Sequence, residues 1–98
     1  MTLSIRVKQT KPGIVTMFPV GSIDSDTAPK LDQEITRLVA EPIKTLVLDM
    51  EDVGFLSSAG VGTIAKTKSV LNRKGAELAM INLQPQIKKV FEIGRAHV

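Results

Sequence analysis

The chain has no cysteine, no tryptophan and no tyrosine, and only one histidine and three phenylalanines among its 98 residues. Without cysteine there is neither a disulfide nor thiol catalysis, a composition at ease in a reducing cytoplasm. With aromatics limited to Phe18, Phe55 and Phe91, the core has to be mostly aliphatic. No apolar run approaches the roughly 18 residues that a membrane helix needs. The first residues, Met1-Thr2-Leu3-Ser4-Ile5-Arg6, lack the apolar stretch of a signal peptide. The expectation is a cytoplasmic protein without membrane insertion. The formal charge of +3 is mild, and the thirteen basic residues are spread along the chain. A nucleic-acid binder shows a denser basic patch accompanied by aromatics, so no nucleic-acid partner is expected.

What is present fits one small α/β domain covering residues 1–98, since 43% hydrophobic content suffices for a single core. Leu3, Ile5 and Val7 alternate with Ser4, Arg6 and Lys8, as in a half-buried strand. Thr10-Lys11-Pro12-Gly13 is a turn, and the β-rich run 14–20 completes an antiparallel hairpin. Pro19 suggests a strand end or an edge there. Residues 21–27 form a polar loop in which Asp26 or Thr27 caps a helix with Pro29 in its first turn. Ala28, Leu31, Ile35, Leu38 and Val39 recur at helical spacing, and Glu41-Pro42 stops the helix. Leu46-Val47-Leu48 reads as a central strand covered on two faces. Glu51-Asp52-Val53-Gly54 reads as a turn. A second helix runs from about Ser58 to Asn72, with Val61, Ile64, Ala65 and Leu71 inward and Lys66, Thr67, Ser69 and Arg73 facing water. Gly75 sits at its C-cap. Residues 76–82 make another strand. Pro85 opens a third helix that has Ile87, Val90 and Phe91 on one face and ends near Gly94. The order β-β-α-β-α-β-α implies a mixed sheet with right-handed crossovers and helices packed on it.

Catalysis needs a base poised near neutral pH, an activated nucleophile or a metal. The single histidine, His97, stands next to the end of the chain and far in sequence from Ser57 and Ser58. Asp24, Asp26, Asp49, Glu51 and Asp52 read as loop-solvating and helix-capping groups rather than as a carboxylate pair or cation site. Gly54, Gly60 and Gly62 fit neither nucleotide-binding glycine pattern. Neither an enzyme nor a cofactor or metal is expected. The informative stretch is Gly54-Phe55-Leu56-Ser57-Ser58-Ala59-Gly60-Val61-Gly62, where two serines meet the start of a helix. One serine can do no more than cap it. The same electropositive helix end can also hold an anion, including a phosphate on one of these serines, which would add about −1.5 to −2 charges.

Three segments, in order along nearly the whole chain, are similar to STAS domains of bacterial anti-sigma factor antagonists. Gly21-Ser22-Ile23-Asp24 with Thr27-Ala28-Pro29-Lys30-Leu31 resembles the family's G-x-[LI]-D and TAP-x-L segment. Leu46-Val47-Leu48-Asp49 with Val53 and Phe55-Leu56-Ser57-Ser58-Ala59-Gly60 resembles its L-V-L-D-L and V-x-F-[IM]-D-S-[SA]-G segment. Residues 75–82 and Pro85-Gln86-Ile87-Lys88-Lys89-Val90-Phe91 resemble its GG-x-L-x-L-x-N and P-x-V region. The resemblance implies a partner switch: binding to an anti-sigma factor that is often a serine kinase, release on phosphorylation at the start of the second helix, and restoration by a phosphatase. By position the acceptor is Ser57, with Ser58 the alternative acceptor and the expected cap, and Asp24, Ser57, Ser58 and Gly60 face the partner. Leu56 replaces the family's usual aspartate, and Ala59 stands where glycine is common. Leu56 supports an alternative, a non-phosphorylated STAS interaction subunit of a transport or signalling complex. The family pattern continues with a further strand and helix, so the chain reads as shortened or truncated after its third helix.

Overall fold

The computed structural model describes the backbone of residues 2–96 and the side chains of residues 2–91. The hairpin joins β1 (Leu3–Lys11) to β2 (Ile14–Ile23), antiparallel, with Gly13 in the turn at φ +81. α1 (Ala28–Val39), β3 (Thr45–Asp49), β4 (Val53–Leu56), α2 (Ser58–Arg73), β5 (Glu77–Ile81) and α3 (Pro85–Ala96) follow. The sheet order is β1-β2-β3-β5, with β3 parallel to both β2 and β5. The mixed sheet and the element order match the sequence expectation, with one strand added.

That strand, β4, takes the second half of the expected turn: Glu51 and Asp52 do turn, and Val53–Leu56 are extended. It pairs in parallel with Gly21, Ser22 and Ile23 at the far end of β2, in the lane that β3 leaves at Met17. β2 therefore has two successive partners on one flank, and Pro19 falls in the gap between them. This explains how a proline sits inside a buried, non-edge strand: no ladder bond to a parallel neighbour is lost at that point.

Met17, Leu46 and Leu48 point to one face of the sheet and are fully buried. Ala28, Leu31, Ile35 and Val39 of α1, Ile64 and Leu71 of α2, and Ile87 of α3 join them in a single core. Val90 and Phe91 pack at its margin. The helices form one layer, α1 against α2 and α2 against α3. Val47 remains half-buried and outside this core, so β3 is covered on one face only.

Two positions on α2 exchange their expected places. Ala65 is exposed, and Thr67 is buried at 3% exposure. Thr67 tolerates burial because its hydroxyl donates to the Thr63 carbonyl one turn earlier, at 2.8 Å. The C-cap of α2 is Lys74 rather than Gly75, which follows it with φ +76 and turns the chain away from the helix. α3 continues through Gly94 to Ala96. His97 lies outside the described residues.

Candidate functional site

β4 delivers the chain to the start of α2, directly beside the end of β2. The Ser57 backbone N–H donates to the Ile23 carbonyl at 2.8 Å, so the loop that begins at Asp24 and the N-terminus of α2 lie side by side. The two stretches that stand out in the sequence are thereby brought together.

Ser57, not Ser58, is the N-cap. Its backbone is extended (φ −85, ψ 171), as a cap requires, and its Oγ accepts from the Gly60 N–H at 3.3 Å. That bond is slightly longer than a normal N–H···O hydrogen bond and correspondingly weak. Ser58 is already the first helical residue, and its side chain is exposed. The expectation that Ser58 caps is corrected by this one-residue offset. Gly60 is buried. A Cβ there would lie 2.5 Å from Leu56 Cδ1 and 2.7 Å from Ile23 Cγ2, so the glycine lets α2 approach the ends of β2 and β4. Leu56 is itself buried at 3% exposure, on the inner side of the strand that leads into Ser57.

Asp24 organises the neighbouring loop. Its Oδ1 accepts from the Asp26 N–H at 2.9 Å and from the Thr27 N–H at 3.0 Å. Thr27 Oγ1 in turn accepts from the Asp24 N–H at 2.9 Å and donates to the Ser22 carbonyl at 2.7 Å. The Thr27 amide, first among these groups, holds the Asp24 carboxyl below its ordinary pKa. Thr27 is the N-cap residue of α1 but makes no side-chain capping bond there. Its role in the loop differs from the capping role that the sequence suggests. The i, i+3 pairing of Asp24 with Thr27 is a loop-closing pattern that sequence spacing alone could have disclosed.

Between α1 and α2 runs an open groove of about 450 Å³, lined by Ser25, Ala28, Asp32, Ala59, Gly62 and Lys66 among others. The Lys66–Asp32 ion pair, at 3.3 Å, bridges the two helices along it. No acidic residue occupies the first turn of α2, so its positive end is not neutralised locally. Asp49 lies elsewhere: its Oδ1 accepts from the Glu51 N–H and from Asn82 Nδ2, closing the β3–β4 turn. Among the described residues no three acidic or histidine side chains gather as a metal site.

Residues 6–97 match the model of the STAS domain. The chain belongs to the STAS domain family. This STAS domain is 27% identical over 93 residues to an anti-sigma-B factor antagonist of Listeria monocytogenes, covering 95% of this chain and 82% of the relative. It superposes with a TM-score of 0.87 on an anti-sigma factor antagonist of Mycobacterium paratuberculosis, at 27% identity over 97% of this chain and 80% of the other. SpoIIAA, another anti-sigma factor antagonist, shares the fold in its unphosphorylated form (TM-score 0.82, 18% identity, 94% of this chain, 81% of the other). The phosphorylated form of the Bacillus protein does so too (TM-score 0.76, 20% identity, 93% and 83%). Among the described residues, no helix of the STAS domain is long and apolar enough to cross a membrane.

Proposed function

We infer that this STAS domain is a cytoplasmic anti-sigma factor antagonist, switched by phosphorylation at Ser57. The carrying observation is the placement of Ser57 as the N-cap of α2, half-buried and hydrogen-bonded through its backbone to the carbonyl that precedes Asp24. The partner is an anti-sigma factor that is also a serine kinase, and it docks over the first turn of α2 and the loop at residues 24–27. While bound, the kinase transfers the γ-phosphoryl group of ATP to Ser57 Oγ. The hydroxyl proton is lost, ADP leaves, and an O–P bond forms. A phosphatase returns the serine by hydrolysis.

The physical basis of release is charge. The phosphate brings about −1.5 to −2 charges at neutral pH. The helix end accepts them, since three oxygens at the α2 N-terminus replace one long capping bond. Asp24 follows the Ile23 carbonyl that bonds the Ser57 amide, so the phosphate adds its charge to a surface whose neighbouring loop already carries a carboxylate. A partner shaped for the neutral serine then meets unpaired charge, which disfavours binding. Incubation with the host's anti-sigma factor kinase and ATP, followed by mass-spectrometric site mapping, is expected to find phosphate on Ser57. Phosphate on neither Ser57 nor Ser58 removes the switch.

Leu56 favours the second reading, an interaction subunit that is never phosphorylated. Its side chain is buried against the position of Gly60 and offers a kinase no acidic determinant. The substitution Ser57→Asp separates the two: unchanged affinity for the partner supports the second reading, and loss of affinity supports the first.

A further inference from the structure

We propose that this protein associates with a second copy of itself through the face of the sheet that carries no helix. The inference does not rest on the phosphorylation reading. All three helices pack on the other face, where Met17, Leu46 and Leu48 point. Strand register puts Phe18, Val20, Val47, Ala79, Ile81 and Phe55 on the open face, and none of them joins the core. Val20 is 40% exposed, Ile81 43% and Phe55 47%, three of the four large apolar side chains most open to solvent among the described residues. An apolar sheet face of this kind marks an interaction surface.

The charges on its two edges select the occupant. Arg6, Lys8 and Lys11 stand on the β1 edge of this face, and Glu77 stands on the β5 edge. The ion pairs among the described residues are Arg37–Glu34 and Lys66–Asp32, so these edge charges have no partner within the monomer there. Lys11, Ile14, Thr45 and Glu77 form one continuous row across the four strands. Lys8, Thr16, Val47 and Ala79 form the next. A twofold axis parallel to the strands, placed between two such faces, sets β1 of one copy over β5 of the other and keeps every row at its own level. Lys11 of each copy then meets Glu77 of its mate, twice by symmetry, and the apolar centres cover one another. The Lys11 and Glu77 corners are complementary to one another across the axis, as an isologous dimer requires, while Lys8 of each copy stands over Ala79 of its mate at the open rim. Aligned sheets pack in this way at a small crossing angle of about 30°.

The test is sedimentation velocity of the full-length polypeptide across a concentration series, with circular dichroism to confirm folding. Wild-type protein is expected to pass from monomer to dimer. Lys11→Glu and Glu77→Lys, each at an exposed position, are each expected to weaken the dimer about tenfold or more by setting like charges opposite one another. The double variant is expected to regain wild-type association. Val47→Asp supplies a variant independent of the edges and is expected to abolish the dimer. A protein that stays monomeric throughout overturns the proposal, whether the face is then covered by a different protein or by another part of the polypeptide. So does a dimer indifferent to the single reversals, or a double variant as weak as either single one.

Discussion

A Cβ on Gly60 would fall 2.7 Å from Ile23 Cγ2 and 2.5 Å from Leu56 Cδ1, closer than side-chain carbons approach. The glycine fixes how near α2 comes to the ends of β2 and β4, and so how near Ser57 comes to the Asp24 loop. Gly60→Ala is expected to destabilise the fold by about 1–3 kcal/mol, as overpacking does. The Leu56 methyl ends a flexible side chain and can swing away, but Ile23 is fully buried among core side chains and its backbone carbonyl also lies 3.3 Å from the added carbon. Two residues on, Gly62 sits in the same helix, and a methyl added there would meet nothing within 4 Å. Gly62→Ala is expected to stabilise by about 0.5–1 kcal/mol through backbone entropy. Urea midpoints of the two variants should move in opposite directions.

Leu48 and the two serines provide a graded comparison. Leu48 is fully buried in β3, and Leu48→Ala is expected to cost about 2–5 kcal/mol. Ser57→Ala removes a long capping bond and belongs near the low end of the usual cap range of about 0.5–2 kcal/mol. Ser58→Ala removes no cap, and its expected effect lies within about 0.5 kcal/mol. Denaturant unfolding of the three variants checks the order. A larger loss at Ser58 than at Ser57 would contradict the assignment of the cap.

Periodicity exposed the parts of the fold with a strong pattern: the alternating hairpin, the amphipathic α1 and the apolar β3. It missed β4 because a short segment that includes Gly54 carries no period, and because its pairing partner is the far end of β2, distant in the chain. Pro19 looked like an edge signal because sequence does not show that β2 changes partners around it. The site was legible as a location, since a serine pair before a helix is a local signal. Which serine caps was not, because two adjacent serines are equally good caps in sequence, and only the extended backbone at Ser57 shows which of them precedes the first helical residue.

Thr67 illustrates the limit of reading polarity as exposure. It is buried, and its hydroxyl is satisfied by the Thr63 carbonyl of its own helix. That carbonyl lies within the helical ladder, so removing the hydroxyl leaves no buried group without a partner. Thr67→Val keeps the shape and deletes the polar atom. The expected result is neutral to slightly stabilising, by no more than about 1 kcal/mol. Thermal melting of the variant should show no drop, whereas a hydroxyl held by a separate element would give a clear loss.

Asp24 links the loop to acidity. Its carboxylate accepts the Thr27 and Asp26 amides, and the Thr27 bond is the leading reason that its pKa lies below the ordinary 3.8. A carboxyl whose pKa is lower folded than unfolded binds fewer protons in the native state. It therefore adds stability above the ordinary value, and this is lost as pH falls through 3.8 toward the lowered native value. Asp24→Asn keeps an oxygen to accept the same amides but cannot titrate. The variant is expected to be less stable than wild type at neutral pH, because the charged acceptor makes the stronger bonds. The gap should narrow as the solution is acidified below the ordinary value. Urea midpoints measured for both proteins from neutral pH down to about pH 3 give the comparison. A gap that stays constant over that range would mean that the Asp24 loop is held by shape alone, with no contribution from its charge.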